Sequence, residues 1–177
     1  MTAGGSEESR LSEGAGGESA GGRAAGREGD AGAERPSGSN HVPSAEVALR
    51  WHRSLGVRLE RAYRAPSLEL LRRAAEPGSP QYQKSARQIR FLIRRELLDR
   101  THLSVRSTIV TKRSSDGFTV REQSVVRPRY LDEATHLPVR ARFGARRLIT
   151  DWLVARSGGG WTLFSSRVIS SRAMEDS

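Results

Sequence analysis

Between residues 44 and 100 the large apolar side chains recur every three or four positions, and beyond residue 100 they recur every second one. Val47, Trp51, Leu55, Leu59 and Ala62 form one stripe of a helix. Ser44, just after Pro43, is placed to cap it, because a serine oxygen accepts an orphan helix N–H. Pro66 closes the helix, and Arg50, Arg53, Arg61 and Arg64 fall on roughly its opposite face. A short second helix starts at Ser67, with Leu68, Leu70, Leu71 and Ala74 as its apolar set, and stops at Pro77-Gly78. A third opens at Ser79-Pro80, where proline fits the first helical position because no N–H is needed there. Its stripe is Tyr82, Ala86, Ile89, Ile93 and Leu97, while Arg87, Arg90 and Arg94 line another face.

After residue 100 the period of two predicts strands. Leu103, Val105 and Ile109 alternate with polar residues. Ser115-Asp116-Gly117 is a turn signal, and Phe118, Val120 and Val126 give the inner face of the next strand. Pro128 ends it, and residues 129–138 read as a connector. A longer strand is expected from Val139 to Arg156, with a bulge near Gly144 where the alternation slips. Ser157-Gly158-Gly159-Gly160 is a loop, and Trp161 to Ser170 is the last strand. Helices first and hairpin-joined strands afterwards predict an α+β fold, with N-terminal helices packed on a curved four-stranded antiparallel sheet.

Composition sets the domain limits. Residues 1–40 hold eleven of the eighteen glycines, and Leu11 is their only large apolar residue after Met1. Such a segment cannot bury enough surface to offset backbone entropy, so it is expected to be a disordered acidic tether. The basic roll domain is then residues 41–171, followed by a polar tail, 172–177. Seven acids against four bases leave the first forty residues at −3, so the remainder of a chain of net charge +10 carries +13. That balance attracts polyanions. No cysteine is present, which excludes disulfides, thiol catalysis and cysteine-ligated metal. No apolar run approaches the ~20 residues of a bilayer span, and the N-terminal segment has neither a secretory core nor the acid-poor character of a transit peptide. A cytoplasmic, soluble intracellular protein is the expectation.

One hairpin carries a resemblance. Arg147-Leu148-Ile149-Thr150-Asp151-Trp152-Leu153-Val154-Ala155-Arg156, then Gly158-Gly159-Gly160-Trp161-Thr162-Leu163, is an alternating strand, a glycine turn and a tryptophan opening the last strand. With the leading helix bearing Trp51 and the helix from Pro80 feeding straight into a strand, residues 44–170 resemble the nuclear transport factor 2-like superfamily, a cone-shaped α+β roll. The Gly-Trp turn is also similar to the roll domain of chloroplast-division inner-membrane proteins, which usually sits beside a membrane span. Such rolls host unrelated roles, from cyclases and isomerases to transport adaptors and assembly domains.

If the roll is a cup, the resemblance implies an apolar pocket in which an Asp or Glu base meets a Tyr, His or Asp donor. The candidates are Asp151, Glu122, His102 and Tyr130, with Trp51, Tyr82, Phe118 and Trp152 as ligand contacts. Each has a plainer reading. Asp151 lies between Ile149 and Leu153 in the period-two count, and can instead pair with an arginine such as Arg167. Glu122 shares the parity of Phe118 and Val120, or pairs with Arg106 or Arg140. His102 can be a junction residue and Tyr130 a packing residue. His41, His52, His102 and His136 never fall at metal-ligand spacing, so no metal or cofactor is expected. Gly158-Gly159-Gly160 lacks the following helix and lysine of a phosphate loop. Arg87, Arg90 and Arg94 are candidate anion-binding residues, with a solvated face as the plainer reading.

Three functions follow in order. The first is a non-enzymatic interaction or small-ligand module that homodimerises through its sheet and binds a protein partner or a small apolar ligand. The second is a small cyclase- or isomerase-like enzyme with Asp151 or Glu122 as base. The third, not favoured, is nucleic-acid or anionic-lipid binding through the arginine faces.

Overall fold

In the computed structural model, residues 41–141, 144–158 and 160–174 are described. The segment read as a tether, residues 1–40, lies outside them, as do Gly159 of the glycine loop and the tail end 175–177. Each of the three helices among the described residues opens on a serine. Ser44 accepts the N–H of Val47 at the start of α1 (Ala45–Arg64). Ser67 accepts that of Leu70 at α2 (Leu68–Arg72), and Ser79 that of Tyr82 at α3 (Pro80–Arg94). These are N-caps, each satisfying one donor that the first turn leaves free.

The phase of two helices differs from the apolar stripes. On α1 the buried residues are Ala48, His52, Leu55, Leu59 and Ala62, with Val47 and Trp51 half-buried on the flank. Alanines occupy the seam because they let the helix backbone approach the sheet, and the bulky indole is pushed to the edge. On α3 the buried set is Gln81, Ser85, Ala86, Ile89 and Leu92, so Ile93 is exposed and Leu97 falls in the following strand. The α3 seam is partly polar. Gln81 donates to Ser85 at 2.9 Å and accepts from Ser166 on the sheet at 2.6 Å. Satisfied polar groups of this kind bury without showing in a hydrophobic pattern.

Two sheets follow. Strands β2 (His102–Arg113), β3 (Gly117–Arg127), β6 (Arg146–Ser157) and β7 (Gly160–Ala173) form the antiparallel four-stranded sheet in the order β2-β3-β6-β7. A second, small sheet of order β1-β4-β5 joins β1 (Leu97–Asp99), β4 (Tyr130–Asp132) and β5 (Pro138–Val139). The residues read as a connector therefore hold two strands, too short to show an alternation. The strand expected from Val139 begins at Arg146, and the last strand runs beyond Ser170 to Ala173. The slip expected at Gly144 touches residues 142–143, outside the described set. Register shifts occur further on, at Ile149/Thr150 and Leu153/Val154.

A bulge between Val105 and Ser107 sets the faces of β2. Val105 lies opposite Ser124, Thr108 opposite Glu122 and Val110 opposite Val120. Leu103, Val105, Thr108 and Val110 thus share the helix-facing side, while Ile109 is turned out and 56% exposed. The core closes where Leu55 and Ile89 meet Phe118, Val120, Val154, Trp161 and Leu163, with the Phe118 and Trp161 rings 5.2 Å apart. No helix among the described residues is long and apolar enough to cross a membrane.

Gly117 opens β3 hard against β6. A Cβ there would stand 2.8 Å from the carbonyl oxygen of Val154, a backbone atom that cannot swing aside. Gly117→Ala is expected to cost about 1–3 kcal/mol of unfolding free energy. Gly144→Ala, where an added Cβ meets nothing within 4 Å, is expected to change it little. Urea unfolding of both variants beside the parent chain checks this.

Candidate functional site

Beside its core-facing stripe, α1 carries a second one: Leu49, Arg53, Gly56, Glu60 and Tyr63 follow one another at helical spacing, with His52 of the core-facing stripe at their border. Between this second stripe and the inner face of β2, β3 and β6 lies a cavity of about 650 Å3. Leu49, Val57, Leu103, Val105, Trp152 and Leu163 supply apolar wall. Val57, Leu103 and Val105 are each about half exposed and form an apolar lip. Asp99, Thr101, Arg53, Glu60 and Arg64 add polar groups to the lining, and Arg64 pairs with Glu60 at 2.6 Å.

Three polar groups are buried together on this lining. Glu122 stands on the same pleat as Phe118 and Val120 and is 6% exposed. His52, also 6% exposed, brings Nε2 to 3.8 Å from a Glu122 carboxylate oxygen. That is beyond hydrogen-bond length. The Trp152 ring lies 6.0 Å from the imidazole, and its Nε1 is buried without a hydrogen-bond partner. Burial lowers His52 to about 4, assisted by the Arg53 cation, so the imidazole is neutral at pH 7. Burial raises Glu122 above the usual carboxylate range, while Ser124 and the Trp152 indole draw it back in part. The contact is therefore not an ion pair at neutral pH. It sets a neutral imidazole against a carboxyl biased toward its protonated form, beside an indole N–H that lies near that carboxyl without closing a well-formed hydrogen bond to it.

The other candidates are dispersed. Asp151 is on the opposite face of the sheet, where Arg121 donates Nε and a terminal nitrogen to its two oxygens at 2.7 and 2.8 Å. The guanidinium holds Asp151 below the usual carboxylate range, and Arg167, opposite it on β7, adds a weaker field. Asp151 is thus a paired carboxylate on the outer face and not a base in the cavity, and its partner is Arg121 on β3 instead of Arg167. Phe118, expected to touch ligand, is 1% exposed in the core against Trp161. Trp51 and Tyr82 pack half-buried against that core, outside the cavity lining. His102 is exposed at the start of β2, and Tyr130 is half-buried in β4 with its hydroxyl pushed up by burial. Of the eight, Glu122 and Trp152 meet at the cavity. Arg87, Arg90 and Arg94 are exposed on α3.

His52 was not a candidate in the sequence. The signal was its place three residues before Leu55 and four after Ala48, on a seam that runs to Leu59 and Ala62. Among the described residues no three His, Asp or Glu side chains cluster as metal ligands.

No family model matches the chain, and no curated protein matches it. Solved structures similar to it include the intermembrane space region of the chloroplast protein ARC6, at 11% identity and TM-score 0.48 over 67% of this chain and 94% of that one. A ketosteroid isomerase-like protein from Erwinia carotovora atroseptica matches at 15% identity and TM-score 0.44, covering 69% of this chain and 96% of its own. A protein of unknown function with a cystatin-like fold from Nostoc punctiforme matches at 12% identity and TM-score 0.43, covering 71% and 91%.

The buried pair makes stability depend on pH with two opposing signs. His52 titrates near 6.5 when unfolded and about 4 when folded, so the unfolded chain binds more protons between these values and stability falls as pH drops through them. His52→Gln removes that loss and should gain up to about 3 kcal/mol relative to the parent between pH 7 and pH 4. Glu122, raised on folding, loses stability as pH rises through its folded pKa, so Glu122→Gln should gain on the neutral side instead. Urea unfolding from pH 4 to pH 7 reads both.

Proposed function

We propose that this domain binds a small, largely apolar molecule carrying one oxygen-bearing polar end, held in the cavity between α1 and the sheet. The observation that carries this reading is the meeting of Trp152 Nε1, the Glu122 carboxyl and the His52 imidazole on one buried wall, with the indole N–H near the carboxyl but short of a well-formed hydrogen bond and the imidazole 3.8 Å away. A buried donor without a partner costs about 1–3 kcal/mol. A ligand oxygen placed there recovers that cost, and the apolar wall takes the remainder of the molecule. A cavity of about 650 Å3 is within the size range of small-molecule sites.

One feature favours a second reading, proton transfer on the bound molecule. At neutral pH an uncharged imidazole and a carboxyl of raised pKa are 3.8 Å apart, both side chains buried. Groups of that kind exchange protons near pH 7 more readily than fully ionised ones. Glu122, with His52 beside it, is then the acid–base residue. Asp151 takes no part in this reading.

Gly56 separates binding from folding. It lines the cavity on α1, and a Cβ added there meets nothing within 4 Å. Replacing a mid-helix glycine by leucine should stabilise the helix by about 0.5–1 kcal/mol. The same side chain would enter the ligand's space. Gly56→Leu is expected to unfold at higher urea than the parent and yet lose at least tenfold in affinity for a neutral apolar fluorophore, read by fluorescence titration. Unchanged affinity in the stabilised variant would refute the cavity as the binding site.

A further inference from the structure

The arginines of α3 stand apart from the cavity, and their helix differs from α1 and α2 in carrying no acid of its own. On α1, Arg50 has Glu46 at 3.9 Å and Arg64 has Glu60 at 2.6 Å, and Glu69 on α2 has Arg73 at 3.4 Å. Helix α3 contains Lys84, Arg87, Arg90 and Arg94 and no Asp or Glu. None of its arginines has an ion-pair partner among the described residues. Arg87, Arg90 and Arg94 follow at spacings of three and four, so like charges are neighbours along one face and weaken the helix. The helix dipole favours a cation in the last turn, which accounts for Arg94 and not for Arg87 or Arg90.

The end of this helix also exposes apolar side chains. From Arg90 to Glu96 only Leu92 is buried. Phe91 is 41% and Ile93 50% exposed, on either side of the arginine row. The helix end is joined to the β4–β5 hairpin through the Glu133 N–H, which donates to the Glu96 carbonyl at 2.8 Å, and that hairpin bears Leu137, 64% exposed. Glu96 and Glu133 lie at this junction and neither pairs with the α3 arginines.

We propose that the C-terminal half of α3, with Arg87, Arg90, Arg94, Phe91 and Ile93, docks on an anionic lipid surface. Guanidiniums flanked by a phenyl and a branched aliphatic chain match a surface with negative headgroups above an apolar layer. A nucleic acid offers the charge without the apolar layer. Single strands are held on several stacking aromatics and this face has one, while a duplex leaves Ile93 without a partner. Each basic residue near such a membrane contributes enough that three together should favour anionic over neutral vesicles by roughly a hundredfold.

The test is co-sedimentation of the full chain with phosphatidylcholine vesicles, with and without phosphatidylserine, at low and high salt. Binding to the phosphatidylserine vesicles, weakened by salt, is expected. Arg87→Glu/Arg90→Glu/Arg94→Glu should abolish it. The charge-matched Arg106→Glu/Arg127→Glu/Arg140→Glu, at exposed sites elsewhere, should weaken it less than tenfold. Phe91→Ser should remove the part that survives high salt. The milder Arg90→Gln/Arg94→Gln, which adds no charge, should lose about tenfold and guards against misfolding of the triple variant. Equal loss in both triple variants would reduce the effect to net charge and overturn the proposal. So would no preference for phosphatidylserine, or tighter binding to a single-stranded oligonucleotide that the α3 triple variant alone weakens.

Discussion

Two ionisable groups buried face to face without a bond, His52 on α1 and Glu122 on β3, form the contact around which this domain is arranged. Desolvation outweighs mutual attraction here, and both groups are driven toward their neutral forms. Neutral groups can share an apolar wall with Trp152 at less cost than an ion pair, whose two charges would both have to be desolvated there. The cost is tolerated because the rest of the α1 stripe that carries His52 is bound firmly: Ala48, Leu55 and Ala62 are fully buried against the core that Phe118, Val154 and Leu163 complete. One stripe of the helix holds the fold and the next is free to line a cavity.

The same division explains what could be read from the sequence. Helix starts were legible because each rests on a serine acting locally, at Ser44, Ser67 and Ser79. The long strands were legible from period two, and Glu122 from its parity with Phe118 and Val120. His52 was hidden because an apolar stripe counts Trp51 and passes over a histidine, although histidine occupies the true seam. Phe118 was read as a ligand contact for a related reason. Parity gives the face of a strand but not the height along it, and Phe118 lies at the closed end while Glu122, four residues on, lies at the cavity.

Strand faces were harder still where the register slips. Leu103, Val105 and Ile109 share a parity, yet the bulge after Val105 sends Ile109 to the other side. The bulge is what lets Leu103 and Val105 form the cavity lip while Val110 still reaches the core. On the outer face Asp151 is likewise fixed by pairing across strands: β3 places Arg121 directly opposite it and β7 places Arg167 there on the other side. The side-on arrangement of the Arg121 guanidinium takes both carboxylate oxygens. With Arg121 open to solvent, the pair's effect is to fix register more than to add stability.

The cavity and the α3 face use opposite electrostatics within one basic domain. At the buried wall of the cavity, burial suppresses charge: desolvation, helped by the field of Arg53, keeps His52 neutral and biases Glu122 toward its protonated form. On α3 the arginines are exposed, aligned and without an ion-pair partner among the described residues, so their energy depends on what approaches them and on salt. A net charge of +10 says nothing of this difference. What separates the two is the position of each group relative to solvent. Gly56 marks the same point sterically, since the cavity is kept open on α1 by a residue that contributes no side chain at all. A helix selected only for stability would not keep glycine at its midpoint, and its presence there ties the local cost in helix propensity to the space beside it.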